Sequence, residues 1–115
     1  MRRAGEVARL GVESGLIVIA AFITPRERHR QMLRQIVNES FLSLVHIAAP
    51  LDVCRRRDVK GLYAGAATGR VALMTGVDSS FEAPLKIDLQ IDSATRSVTD
   101  CLATLNDFAR WRLSQ

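Results

Sequence analysis

Leu16-Ile-Val-Ile-Ala-Ala-Phe22 is an unbroken apolar run in this 115-residue chain. Because every position is apolar, and not every second one, the run predicts a strand buried on both faces of a parallel sheet. Helical spacing of apolar side chains precedes it over residues 2–13 and follows it from Thr24 onward. Thr24 can cap that second helix, Pro25 suits its first turn, and its arginines, Arg30 among them, are expected on the wetter face.

The alternation of strand and helix continues towards the C-terminus. A second buried strand is predicted over residues 41–47, and a third, more exposed strand over residues 87–92. A short helix is expected over residues 51–57, and Ser97 is expected to cap a last helix. Parallel strands joined through helices form right-handed crossovers, so the pattern predicts a single α/β domain over residues 1–115.

The charge of the chain favours anionic ligands. The net charge is +4, and of the 16 basic residues only Lys60 and Lys86 are lysines. The planar guanidinium of arginine suits phosphate. A GC-rich genome would explain the excess of arginine over lysine equally well. Nucleic acid is the partner class that the sequence supports least, because the arginines are scattered and aromatic residues make up only 5% of the chain.

Cysteine content and hydropathy bear on the compartment. Cys54 and Cys101 are too few and too far apart to indicate a disulfide scaffold or a zinc site. The longest apolar run, residues 16–23, is far shorter than the roughly 20 residues that a membrane-spanning helix needs. These features predict a cytoplasmic protein without a membrane partner.

Two glycine-containing motifs carry the functional signal. Arg57-Asp-Val-Lys-Gly-Leu-Tyr63 is followed twelve residues later by Thr75-Gly-Val-Asp-Ser79, and Phe22-Ile-Thr-Pro25 lies upstream. These motifs resemble the lid and substrate loops of adenylyl-sulfate kinases. That family transfers the γ-phosphate of ATP to the 3′-hydroxyl of adenosine 5′-phosphosulfate (APS), which forms the sulfate donor PAPS in sulfate assimilation.

The resemblance implies a role for individual residues. Substrate contacts would come from Ile23, Thr24, Lys60, Leu73 and Met74. Nucleotide contacts would come from Arg57 and Cys101. A lid over about residues 58–84 would include Asp58, Gly61, Leu62, Tyr63, Thr75 and Gly76. ATP and Mg²⁺ are the implied nucleotide and ion, and the resemblance assigns no catalytic residue or metal ligand within this chain.

The chain also departs from the family pattern. It contains no Gly-x-x-x-x-Gly-Lys-Ser/Thr phosphate-binding loop, Ala64–Ala67 replaces a basic stretch, and Met74 replaces a phenylalanine. The resemblance therefore implies a three-layer P-loop-kinase fold that is truncated at its N-terminus and lacks the central P-loop strand. Impaired catalysis is expected, with APS and ATP as ligands. Self-association, pairing with a P-loop-bearing chain, or a non-catalytic regulatory role remain open.

Overall fold

The computed structural model describes residues 1–70, 72 and 80–115. Two of its elements are strands, β1 and β2, and five are α-helices. In chain order they are α1 (Arg2–Glu13), α2 (Glu27–Val37), β1 (Val45–Ala48), α3 (Leu51–Arg57), α4 (Leu62–Ala67), β2 (Leu89–Asp92) and α5 (Val98–Leu113). The helices predicted over residues 2–13 and 51–57 and after Ser97 are confirmed.

The chain divides into two compact units, the first formed by Met1–Ser43 with Ser80–Lys86. Within this unit α1 packs against α2, and Gly5 of α1 is buried. A Cβ atom added to Gly5 would lie 3.0 Å from Leu33 Cδ2. Glycine at this position therefore lets the two helices approach closely.

Helix α2 begins later than predicted. Thr24 has a φ of +37° and lies outside the helix, whose N-cap position is Arg26 without a capping side chain. The first backbone amide, that of Glu27, instead donates to Glu82 Oε2 at 2.7 Å. Thr24 was the wrong cap because the capping carboxylate comes from a segment that is remote in the sequence.

Residues 16–22 do not form the predicted strand. The structure gives them no regular secondary structure, and Ile17 and Ile19 are 69% and 93% exposed. A strand requires a hydrogen-bonded neighbour. Among the described residues, the only strands are β1 and β2, which pair with each other. The apolar run predicted buried side chains, but most of these side chains are exposed.

The second unit, Leu44–Ser79 with Ile87–Gln115, contains the sheet. Strands β1 and β2 are parallel, with Ile47 opposite Ile91. The strand predicted over residues 41–47 starts later because Glu39–Phe41 forms a 3₁₀ turn. The third predicted strand is confirmed as β2, but Ile91 is only 1% exposed and so more buried than expected. Helix α5 packs against β2.

Ser97 caps α5 as predicted, since its hydroxyl accepts a hydrogen bond from the Asp100 amide at 3.1 Å. Replacing Ser97 with alanine leaves that amide without its partner, and we expect unfolding to become easier by about 1 kcal/mol. Thr99→Ala, at an exposed position in the first turn of the same helix, is the matched control and should cost nothing. Chemical denaturation of the three proteins measures the difference, and equal midpoints would contradict the capping role.

Candidate functional site

Asp58 organises the turn between α3 and α4. Its backbone carbonyl accepts the Gly61 amide at 2.9 Å, and Gly61 has a φ of +63°, which glycine adopts without strain. Its carboxylate accepts the amides of Tyr63 at 3.1 Å and Ala64 at 3.0 Å. One side chain thus fixes both the turn and the first amides of α4. Lys60, at the tip of this turn, is exposed.

A shallow depression of about 210 Å³ lies beside this turn. Its volume is below the roughly 300–1,000 Å³ of pockets that enclose whole small molecules, so it can receive only part of a nucleotide. Its surface is almost entirely apolar, although Arg57, Lys60 and Tyr63 are among the residues that line it. Burial, and then the neighbouring Cys54 thiol, raise the pKa of Tyr63, which therefore stays protonated. The lining residues are Cys54, Arg57, Asp58, Val59, Lys60, Leu62 and Tyr63.

The two predicted nucleotide residues contact the C-terminal end of β2 and the segment just after it. Arg57 Nη2 donates to the Ala94 carbonyl at 3.3 Å, and Cys101 Sγ lies 3.8 Å from the Asp92 carbonyl oxygen. This segment leaves the carboxyl end of a parallel strand, which is where α/β folds bind ligands. The structure thus brings Arg57 and Cys101 to one segment, although 44 positions separate them in the sequence.

The predicted substrate residues Ile23 and Thr24 belong to the first unit. Ile23 is 65% exposed. Thr24 has a φ of +37°, a conformation that costs a non-glycine residue on the order of 1–3 kcal/mol. The predicted substrate contacts Leu73 and Met74, and the predicted lid residues Thr75 and Gly76, lie outside the residues that the structure describes.

The prediction for Arg30 was wrong. This residue was predicted on the wetter face of α2, but it is only 1% exposed and is the one buried charged residue among those described. Its Nε donates to Glu27 Oε2 at 2.7 Å and its Nη1 to the Thr24 carbonyl at 2.6 Å. Its Nη2 donates to the Glu82 carbonyl at 2.7 Å. The Glu27–Arg30 spacing was the only local signal of this arrangement.

The described residues do not provide a metal site. Within 1–70, 72 and 80–115, no three His, Cys, Asp or Glu side chains come together in a way that could hold an ion. Mg²⁺ is therefore assigned no ligands here, and no chemical step is routed through it. In the same part of the chain, no helix combines the length and apolar character needed to cross a membrane.

Asp58 should make the stability of the chain sensitive to acid. Hydrogen bonds from the amide of Ala64 above all, and also from Tyr63, hold the pKa of this carboxyl below its ordinary value. Its contribution is therefore complete above the unfolded-state pKa of about 3.9 and is lost as the pH falls through the lower folded-state pKa. Asp58→Asn should lower the melting temperature at neutral pH, and the deficit should shrink in acid.

Melting curves recorded from neutral pH to below about pH 3 measure how the difference in melting temperature between wild type and Asp58→Asn changes with pH. Asp107→Asn, at an exposed position on α5, is the control for removing one carboxylate. If the Asp58→Asn deficit stayed constant across the pH range, the proposed role of the ionised carboxylate in holding α4 would be wrong.

Comparison with known proteins places this geometry in a family. The sequence model for the family described as adenylylsulphate kinase matches residues 1–92. The probable adenylyl-sulfate kinase of Bacillus subtilis is 41% identical over 114 residues, which are 99% of this chain and 58% of that protein. The adenylyl-sulfate kinase of Shewanella amazonensis is 41% identical over 108 residues, which are 94% of this chain and 54% of that protein.

The fold agrees with the sequence match. The structure of the Mycobacterium tuberculosis APS kinase CysC, in complex with AMPPNP and APS, superposes with a TM-score of 0.82 at 32% identity. That alignment covers 95% of this chain and 64% of the mycobacterial chain, and this chain spans about half the length of the curated relatives it matches. The predicted α/β fold is confirmed by this superposition, and the chain belongs to the adenylylsulphate kinase family.

Proposed function

We propose that this chain binds APS through the Lys60 turn and an adenine nucleotide beside Arg57 and Cys101, as part of an adenylyl-sulfate kinase. The reaction would be phosphorylation of the 3′-hydroxyl of APS by ATP. The observation that carries the proposal is the turn held by Asp58, which presents an exposed lysine beside a small depression that Arg57 also lines. Contacts to APS from Ile23 and Thr24 of the first unit are a separate proposal, supported by the resemblance of Phe22-Ile-Thr-Pro25 to the substrate loop of the family.

The exposed lysine suits an anion. Lys60 lies next to Gly61, whose left-handed backbone allows the tight turn, and Arg57 lines the same depression. A sulfate or phosphate group at this position would gain charge-assisted hydrogen bonds, which are about twice as strong as neutral ones. The depression is too small for a whole nucleotide, so the anionic group would lie at Lys60 beside the depression and not inside it.

Phosphoryl transfer requires more than these residues. It depends on positioning and on neutralising the phosphate charges, which a P-loop normally provides. No Gly-x-x-x-x-Gly-Lys-Ser/Thr motif occurs in the 115 residues. We therefore expect the isolated chain to bind its ligands but to form PAPS slowly or not at all, unless another polypeptide segment supplies that loop.

Thermal unfolding with and without APS, ADP and Mg²⁺ tests the proposal. A ligand at 100 times its dissociation constant stabilises the folded state by about 2.7 kcal/mol, so binding should raise the melting temperature clearly. APS and ADP are added separately, because the two sites involve different residues. A cooperative transition that neither ligand shifts would overturn the proposal.

A second candidate is a regulatory module that pairs with an intact kinase of the same family. It is favoured by the exposed apolar run at residues 16–23 and by a groove of about 460 Å³ that this run forms with α1. Large exposed apolar patches commonly mark interaction surfaces. Gel filtration of the chain mixed with a full-length adenylyl-sulfate kinase tests this candidate. Co-elution would support it, and separate elution would exclude it.

A further inference from the structure

Arg30 lies at the centre of a buried polar cluster in the first unit. Its three donor directions reach the Glu27 carboxylate, the Thr24 carbonyl and the Glu82 carbonyl at 2.6–2.7 Å. The side chain is 1% exposed. Its guanidinium carbon lies 6.0 Å from the centre of the Phe81 ring, within the range of a cation–π contact.

The carboxylates around Arg30 extend the cluster. Glu82 Oε2 accepts the Glu27 amide at 2.7 Å, and the Glu82 amide donates to the Pro25 carbonyl at 2.8 Å. Glu27 Oε2 also accepts the Leu85 amide at 3.3 Å. The Thr24–Pro25 turn, the start of α2 and residues 81–85 are therefore joined by hydrogen bonds in both directions. We call Thr24, Pro25, Glu27, Arg30 and Glu82 the Arg30 clamp.

One member of the clamp, Thr24, has a strained backbone. Thr24 has a φ of +37°, and such a conformation persists only where surrounding contacts impose it. The Arg30 Nη1 bond to the Thr24 carbonyl is one such contact, and the Glu82 bond to Pro25 holds the next residue. Only a rigid planar group with several donors can serve all three acceptors at once, and lysine cannot.

We propose that Arg30 is a positioning residue for substrate binding, which holds the Thr24 turn against residues 81–85 in the conformation that receives APS. This inference rests on the proposed function, because it takes Ile23 and Thr24 as contacts of APS. It adds a residue that would not touch the ligand but would determine whether the contacting turn is formed. A buried arginine that only stabilised the first unit would lower the melting temperature when replaced but would leave the APS affinity of the folded chain unchanged.

Arg30→Lys tests the proposal because it keeps the charge and loses the planar fork. Arg28→Lys, at an exposed position of the same helix, is the matched control. The first measurement is amide hydrogen exchange at Glu27, Glu82 and Leu85, whose amides donate within the cluster. Loss of charge-assisted bonds should speed this exchange about tenfold or more in Arg30→Lys and leave it unchanged in Arg28→Lys.

The second measurement is the affinity of the full chain for APS and, separately, for ADP by titration calorimetry. We expect Arg30→Lys to weaken APS binding about tenfold while ADP binding stays the same. Equal losses for both ligands, or unchanged APS affinity despite faster exchange, would overturn the positioning role. If amide exchange in Arg30→Lys were unchanged, Arg30 would not hold the hydrogen bonds of the clamp.

Glu27→Gln provides a milder variant in case Arg30→Lys does not fold. It keeps the size of the side chain and removes the charge that Arg30 Nε contacts, so the same changes are expected with smaller amplitude. If the wild-type chain bound ADP but no APS, the proposed substrate and the positioning role would both be wrong. The exchange data would still decide whether Arg30 holds the Thr24 turn.

Discussion

Replacing Ile91 with alanine is expected to lower the free energy of unfolding by about 2–5 kcal/mol. Ile91 is 1% exposed at the centre of β2, where α5 covers the strand. Alanine would leave a cavity that this small core cannot close completely. Because small domains have only about 5–15 kcal/mol of stability, the change removes a large share of it.

Ile19→Ala is the control, because it makes the same chemical change at a side chain that is 93% exposed. Its effect should remain within about 0.5 kcal/mol. In thermal melts, the melting temperature of Ile91→Ala should fall by about 4 °C for each kcal/mol of stability that is lost. Similar melting temperatures for the two variants would show that β2 does not form the core of the second unit.

Replacing Lys60 with methionine is expected to weaken APS binding about 10- to 100-fold. Methionine keeps much of the side-chain length and removes the ammonium group, which would contribute about 1.5–3 kcal/mol through a hydrogen bond to a charged partner. Titration calorimetry with APS measures the loss. Because Lys60 is exposed and lies at the tip of a turn held by Asp58, the melting temperature without ligand should not change.

Lys86→Met is the natural control, because Lys86 is the only other lysine of the chain. Its ammonium forms an exposed ion pair with Glu39, and such pairs contribute about 0–1 kcal/mol to stability. APS affinity should be unchanged in this variant. An equal loss in both variants would indicate a general effect of positive charge and not a contact made by Lys60.

Local signals predicted α1, α3 and α5, whereas α2 begins later than predicted and α4 was not predicted. Residues 2–13 repeat apolar side chains with helical spacing, and α1 has those bounds. Ser97 was predicted as a cap, and its hydroxyl accepts the Asp100 amide. These predictions succeed because helix formation and capping depend on residues three or four positions apart. The motifs at residues 22–25, 57–63 and 75–79 likewise indicated the family, because each is a continuous stretch of sequence.

Contacts between distant segments were the source of the errors. Thr24 was a reasonable cap by residue type, but Glu82 fills that position from 55 residues away. Arg30 was predicted on the wetter face because arginine is rarely buried, yet the nearby acceptors Thr24 and Glu27 and the remote Glu82 make burial possible. A pattern based on residue type has no information about such partners.

The sequence by itself determined the family, the bounds of α1 and α3, and the residues named for the proposed site. Tertiary structure alone decided which apolar segments are covered. Ile91 is buried in β2, against which α5 packs, whereas Ile19 in a more apolar run is exposed. Hydrophobicity measures the free energy available on burial, but burial requires a partner surface. That partner comes from elsewhere in the folded structure, and the local sequence does not specify it.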